Sequence, residues 1–399
     1  MKNRRKLNIG IGTVSINSEA KKSISGILDS NRLSYGYFTK KFESEIAKIH
    51  GRKYAIFINS GTSALYVSLQ VLKDKYNWQE GDEILVPSVT FIATSNVVLH
   101  NNLNPVFVDV ERDYFGMDPA KIEAKVSKKT RAIMPVHLFG QSADMEPILK
   151  IAQKYKLKIV EDSCETMFVQ HKGKPVGSLG DIACFSTYAT HLVVTGVGGI
   201  VMTDDADLAV RIKSYCNHGR DGIYLSIDDD DKKGPAELFK IVDKRFSFVH
   251  LGHSFRMTEL EAAIGLSQLG NWKKIISKRQ RNAYILSKGL LKWLHFLQTP
   301  KVRPDSEHAF MLYPLIITNM KVNREKLVRH LELRGIETRY MMPLLSQPIY
   351  RKIFGNIIKN FPVADYLDRN AFIIGCHQDL TREEIHYIVG AFDDFFKNY

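Results

Sequence analysis

The chain has 399 residues, 44% of them hydrophobic and 25% charged, the proportions of an ordinary globular protein long enough to bury a sizeable core and to divide into two domains. The formal net charge of +13 invites an anionic partner, but the basic residues are spread along the chain with no helix-turn-helix or aromatic-basic module to indicate nucleic acid, and a phosphorylated small substrate fits the charge equally well. Cys164, Cys184, Cys216 and Cys376 lack CxxC spacing, which points away from a zinc site or a disulfide framework and toward reduced thiols in the cytoplasm. No run approaches the roughly 20 apolar residues of a membrane span, and the basic cluster at residues 2–6 lacks the apolar core of a signal peptide.

In chain order, the first 50 residues read as a lead-in arm and helix, with Ser34-Tyr35-Gly36 as a turn. Residues 54–58 read as a buried strand, followed by Asn59-Ser60-Gly61-Thr62-Ser63 and by Leu65, Leu69 and Leu72 at helical spacing. A strand, a small-residue turn and a helix amino end make an anion site, because unpaired N–H groups and the positive end of the helix dipole face one point; a simple helix cap is the plainer alternative. Residues 84–87 form a short strand, Ser88 to Phe91 open the next helix, and strands at 105–110 and 131–136 alternate with helical segments such as residues 146–155. This alternation predicts an α/β fold with a mainly parallel sheet.

The strand at 158–160 delivers Glu161 and Asp162 at its carboxyl end, a second strand follows at 181–186, and Thr195-Gly196-Val197-Gly198-Gly199 turns into a third at 200–203. Such strand ends are where open α/β sheets hold ligands. No lysine occurs between Lys174 and Lys213. Residues 228–233, DDDDKK, read as a solvated loop without the alternating spacing of a calcium site. Thr258-Glu259-Leu260-Glu261 reads as a capping box opening a helix through Leu269, the expected hinge into a smaller domain. Beyond Asn271 the pattern is helical, stranded at 312–318, and helical again at 324–334.

These motifs resemble the sugar aminotransferases of pyridoxal-phosphate fold type I, the DegT/DnrJ/StrS group, over nearly the whole chain. The group's N-S-G-T-x-A turn compares with residues 59–64, its E-D with Glu161-Asp162, its G-D-x-x-x-F-S-x-x-x-x-K with residues 180–191, and its T-G-E-G-G with residues 195–199. Its H-G-R compares with His218-Gly219-Arg220, its G-Y-N-L-K with residues 252–256, and its R-x-x-x-P-L-x-x-Q-P with residues 339–348. The lysine that binds the cofactor covalently is replaced by His191, and the glutamate of the glycine turn by Val197. Within the group the likeness is to 3-dehydratases of nucleotide-linked 4-keto-6-deoxy sugars, whose E-D-N-C-D and F-S-F-Y-P-A-H-H compare with residues 161–165 and 185–191. An imidazole cannot form the lysine's bond, but it can move a proton near neutral pH.

The resemblance implies a fold-type I aminotransferase-like protein: a large cofactor-binding domain of residues 1–250 around a mainly parallel seven-stranded sheet, and a smaller C-terminal α/β domain of residues 251–399. It implies a homodimer, with the N-terminal region running over the partner. The implied cofactor is pyridoxal 5'-phosphate or pyridoxamine 5'-phosphate, its phosphate held by Gly61, Thr62 and Ser186 and by Ser254 from the partner, where the family has asparagine. Asp162 would meet the ring nitrogen, Phe91 would stack on the ring unless it is a core phenylalanine, and Glu165 would lie near the ring hydroxyl unless it is a surface carboxylate. His191 would be the base, with His218, Arg220 and Arg339 as substrate contacts. The implied activity is glutamate-dependent 3-dehydration of a nucleotide-linked 4-keto-6-deoxy sugar for surface polysaccharide, L-glutamate being the amino donor, with neither a metal nor an iron–sulfur cluster because the cysteines are not grouped. A nucleotide-sugar aminotransferase-like enzyme and a catalytically inactive binding homologue are the alternatives.

Overall fold

A computed structural model describes residues 8–222, 233–397 and 399; the basic cluster at 2–6 and nearly all of the charged stretch 228–233 lie outside them. Seven short strands form the main sheet: β1 (Tyr54–Ile58), β2 (Glu83–Pro87), β3 (Asn104–Val108), β4 (Thr130–Ile133), β5 (Lys158–Asp162), β6 (Ile182–Ser186) and β7 (Gly199–Thr203). Their order is β1-β7-β6-β5-β4-β2-β3. From β6 to β3 every pairing is parallel, whereas β7 runs antiparallel to both β1 and β6. Every residue of β6 and β7 is buried, as expected for strands covered by helices on both faces. The fold expected from the alternating pattern is therefore the one observed.

Helix α1 (Ser18–Ser30) and helix α2 (Tyr37–Ile49) precede the sheet, α3 (Gly61–Lys75) follows β1, and α4 (Ile92–His100) follows β2. A second, smaller antiparallel sheet contains β8 (Leu297–Gln298), β9 (Leu312–Ile317), β10 (Thr338–Tyr340) and β11 (Ala371–Gly375) in the order β8-β9-β11-β10. Its apolar face packs with Leu286 and Leu290 of the helix Trp272–Leu290 and with Ile385, Ile388 and Phe392 of the helix Arg382–Phe396. Among the described residues no helix is long and apolar enough to cross a membrane.

The two sheets are tied together by polar contacts. Buried Asp109, just beyond β3, accepts from the Val363 and Ala364 N–H groups at 3.1 and 3.0 Å and so caps the helix Pro362–Asn370. Tyr350 donates through its hydroxyl to Asn96 Oδ1 at 2.9 Å. The N-terminal segment runs against its own chain: Ile9 bridges Ile336, the Ile11 N–H donates to Glu337 Oε2 at 2.8 Å, and Gly12 lies so close to Thr190 that a Cβ there would fall 2.8 Å from the Thr190 Cα.

The capping box expected at residue 258 does not form. Thr258 accepts from the Leu260 N–H, and its own hydroxyl donates to Glu261. Glu259 is turned away: buried, it accepts from the N–H groups of Gly36, Phe38 and Thr39 at 2.8, 2.8 and 2.9 Å and thereby caps α2. A complete box stands instead at Thr381 and Glu384.

Candidate active site

The carboxyl ends of the central strands open into a cavity of about 750 Å3, closed on the far side by residues of the second sheet and its loops, including Met311, Leu312, Arg339, Pro343, Gln347 and Ile373. Its floor begins where β1 turns into α3. Ser60 caps that helix, its Oγ accepting from the Ser63 N–H at 3.0 Å. The Gly61 and Thr62 N–H groups occupy the first turn, where no intrahelical carbonyl can reach them, and both residues line the cavity. A Cβ on Gly61 would fall 2.8 Å from the Ser186 Cβ and 3.0 Å from the Cys164 Sγ, so only glycine lets the helix end close against β6. The Ser186 hydroxyl, which accepts from the Tyr188 N–H at 3.3 Å, stands beside that helix end.

Successive residues of a strand face opposite sides, and the end of β5 uses both. Asp162 faces the cavity, only 3% exposed. Its Oδ2 accepts from the Thr94 hydroxyl at 2.7 Å and its Oδ1 from the Cys164 N–H at 3.1 Å; burial pushes its carboxyl up, against the pull of these donors. Glu161 points away and is wholly buried, accepting from the N–H groups of Gly177, Leu179 and Gly180 at 3.0, 2.7 and 2.6 Å and pairing with Arg52 and His137. Burial raises its pKa, but its donors win and its carboxyl is held below the usual range. Glu165 is no surface carboxylate: it lines the cavity at 7% exposure, accepts from the Phe139 N–H at 3.0 Å, and is pushed up to about 8 by burial and by the charge of Asp162.

The segment after β6 carries His191 into the cavity wall, its N–H donating to the Tyr188 carbonyl at 2.9 Å. Burial pushes the imidazole down to about 4, with Arg279 adding to the effect, so it is neutral at pH 7; its Nδ1 is buried without a hydrogen-bond partner. Among the described residues that line the cavity there is no lysine. Val197, where the family has glutamate, is 52% exposed and also lines the cavity. The glycine turn is kept by sterics, since a Cβ on Gly199 would fall 2.1 Å from the Ser60 carbonyl oxygen.

Gly61, Thr62, Phe91, Asp162, Glu165, Ser186, His191 and Arg339 are thus brought to one cavity, and Phe91, 60% exposed, is not a core residue. Ser254, His218 and Arg220 are not brought there within the same chain. The Arg256 guanidinium donates to both Ser254 Oγ and His218 Nε2 at 3.2 Å, and Arg220 donates to the Arg245 carbonyl while lying over Phe246 and Phe248. Sequence reasoning missed Thr90, Thr94, Cys164, Tyr188, Glu337 and Tyr340, which also line the cavity. The threonines had a weak signal, two hydroxyls four residues apart at a helix start; Cys164, Tyr188 and Tyr340 stood inside the compared motifs without being singled out, and Glu337 had none.

The arrangement suits a flat ligand with an anionic end at the start of α3, a basic ring nitrogen at Asp162 and a face over Phe91, leaving room for a second molecule toward Arg339. A family model for the DegT/DnrJ/EryC1/StrS aminotransferases matches residues 14–393. The chain is 32% identical over 362 residues to a GDP-perosamine synthase of Caulobacter vibrioides, covering 90% of each protein. It is 31% identical over 376 residues to a dTDP-4-dehydro-2,6-dideoxy-D-glucose 3-dehydratase of Saccharopolyspora spinosa, covering 91% of this chain and 81% of that one. Its fold superposes on that of the Escherichia coli GDP-4-keto-6-deoxy-D-mannose-3-dehydratase with bound hydrated PLP with a TM-score of 0.87, at 27% identity and with 97% and 100% of the two chains covered. The chain belongs to the DegT/DnrJ/EryC1/StrS aminotransferase family.

Proposed function

We propose that this protein is a 3-dehydratase that uses pyridoxamine phosphate to remove the C3 hydroxyl of a nucleotide-linked 4-keto-6-deoxy sugar, with L-glutamate as amino donor. The observation that carries the reading is a half-buried, neutral imidazole, His191, lining a cavity that among the described residues offers a base and no amine. An aminotransferase needs the amine as well.

The residues present fit the cofactor. The Gly61 and Thr62 N–H groups and the Ser186 hydroxyl suit its phosphate, and the close approach of Gly61 to Ser186 keeps these donors together. Ser254 of a second copy would add to them. When bound, the cofactor supplies an amine that condenses with the C4 ketone and a ring that takes up electrons. Asp162 would stabilise a proton on the ring nitrogen, Phe91 would cover one ring face, and Glu165, protonated near neutrality, would donate toward the ring hydroxyl. His191 would accept a proton at its imidazole from the amine-bearing carbon and pass it to the C3 hydroxyl, which leaves as water. Arg339, which pairs with Glu337 in the same cavity lining, would be the contact to the anionic part of the nucleotide. The reaction balances: one sugar and one glutamate give one 3,6-dideoxy-4-keto sugar, 2-oxoglutarate and ammonia, the water lost at C3 offsetting that taken up in releasing ammonia.

The similarity to a GDP-perosamine synthase favours a second reading, amination of the same sugar class by a noncovalently held cofactor. Mass spectrometry of products from GDP-, CDP-, UDP- and dTDP-linked 4-keto-6-deoxy sugars, with glutamate and cofactor supplied, separates the two. Loss of the C3 oxygen supports dehydration, and an aminated sugar that retains the oxygen overturns it.

A further inference from the structure

Asp162 is a buried carboxylate without an ion-pair partner among the described residues. In such a site a carboxyl tends to take up a proton, and a protonated Asp162 could no longer balance a cation in the cavity. What opposes that tendency is local. Thr94, in the first turn of α4 and 1% exposed, donates its hydroxyl to Asp162 Oδ2 at 2.7 Å. A hydroxyl has one proton, so with this proton given to Asp162 the 2.7 Å contact between Thr90 Oγ1 and Thr94 Oγ1 is fixed in direction: Thr90 donates and Thr94 accepts. Thr90 is likewise 1% exposed, so the chain of two hydroxyls is shielded from water, where donors in series strengthen one another.

We propose that Thr94, with Thr90 behind it, is a positioning residue that holds the Asp162 carboxylate ionised and aimed into the cavity, and that this two-hydroxyl relay sets the affinity for the cofactor's protonated ring. The inference rests on the cofactor assignment made above. The relay enters from the helix side of the cavity and ends on one carboxylate oxygen, while the Cys164 N–H holds the other. The remaining titratable groups that face Asp162 cannot substitute for it. His137 receives the Ala143 N–H at Nδ1 and so donates its Nε2 proton to Glu161, on the opposite face of β5. Glu165 and Cys184 bring only negative charge or none, and the Cys164 thiol, kept protonated by burial, is only a weak donor to the same carboxylate.

The test is titration of the purified protein with pyridoxamine phosphate, followed by cofactor absorbance and fluorescence between pH 5 and 9, for the wild type, Thr94→Val, Thr94→Ser and Thr90→Val. Losing a donor raises the Asp162 pKa, so the ionised form needed for binding appears only at higher pH. Thr94→Val is expected to bind roughly ten- to a hundredfold more weakly at pH 7, the worth of one hydrogen bond to a charged group, with the lower pH limit of binding moved upward. Thr94→Ser restores both, and Thr90→Val shows a smaller shift in the same direction. Wild-type affinity and an unchanged pH limit in Thr94→Val overturn the proposal. If Thr94→Val does not fold, Thr90→Val decides the matter: a weaker, upward-shifted binding curve supports the relay, and wild-type behaviour overturns it. A wild type that does not bind the cofactor overturns the cofactor assignment and the relay together, whereas normal wild-type binding with an indifferent Thr94→Val overturns the relay alone.

Discussion

Replacing His191 by asparagine removes a proton acceptor while keeping a polar side chain of similar size. With the imidazole held at about 4, about one molecule in a thousand carries the imidazolium at pH 7, so the base is present in full across the neutral range. The loss on substitution is therefore the whole of its acid–base contribution, about 10²–10⁴-fold in kcat, or about 3–5 kcal/mol of transition-state stabilisation. Single turnover of protein preloaded with pyridoxamine phosphate, scored by loss of the C3 oxygen in the product, isolates that step from glutamate turnover. The pH profile supplies a second readout. A base with a depressed pKa keeps wild-type turnover level through neutrality and loses it as pH falls toward about 4, and His191→Asn should lack that limb. Wild-type dehydration by His191→Asn refutes His191 as the base, even with the fold and the cofactor site correct.

Borohydride reduction of the wild type with pyridoxal phosphate should leave no pyridoxyl-lysine in peptides spanning residues 158–203, whereas His191→Lys should yield one at position 191 and lose dehydration; a labelled lysine in the wild-type peptides contradicts the absence of an amine among the described residues that line the cavity. Ser254→Ala should weaken cofactor binding by about 0.5–1.5 kcal/mol if a second copy supplies that hydroxyl, and solution scattering showing a monomer with full cofactor occupancy counts against it. Buried Glu43, pushed up to about 7 chiefly by burial, binds a proton in the folded state at pH values where the unfolded chain has lost it. The wild type should therefore lose stability through this group as pH rises from about 4.5 to 7, by at most about 3 kcal/mol, and in denaturant titrations Glu43→Gln should lack that loss.

Much of the site was legible because its parts are local. Gly61 stands at a strand-to-helix turn and Asp162 at a strand end, and His191 occupies a motif position whose usual residue has unmistakable chemistry. What escaped depends on residues distant in sequence. The pattern T-x-x-E occurs at both Thr258 and Thr381, yet only the second closes a box: at the first, the Glu261 carboxylate takes the Thr258 hydroxyl instead of its N–H, and the neighbouring Glu259 is committed to N–H groups more than 200 residues away. The alternation of side chains along a strand already implied that Glu161 and Asp162 face apart, but the occupants of the opposite face, His137 and the 177–180 turn, had no local signal. Ser254, His218 and Arg220 were reached only through the family resemblance, and the single chain holds them outside its own cavity.

The buried Glu161 works as a ruler. By gripping the amides of residues 177, 179 and 180 from within β5, it fixes where the chain may enter β6, and Asp181 locks the entry by accepting from the Ile159 N–H at 2.8 Å. The register that follows sets Cys184 opposite Asp162 and places Ser186 two residues farther along. The spacing between the carboxylate at one end of the cavity floor and the hydroxyl at the other is thus measured out behind the sheet. A change in the 177–180 turn, remote from any ligand, would be felt as a cofactor that fits at one end and misses at the other.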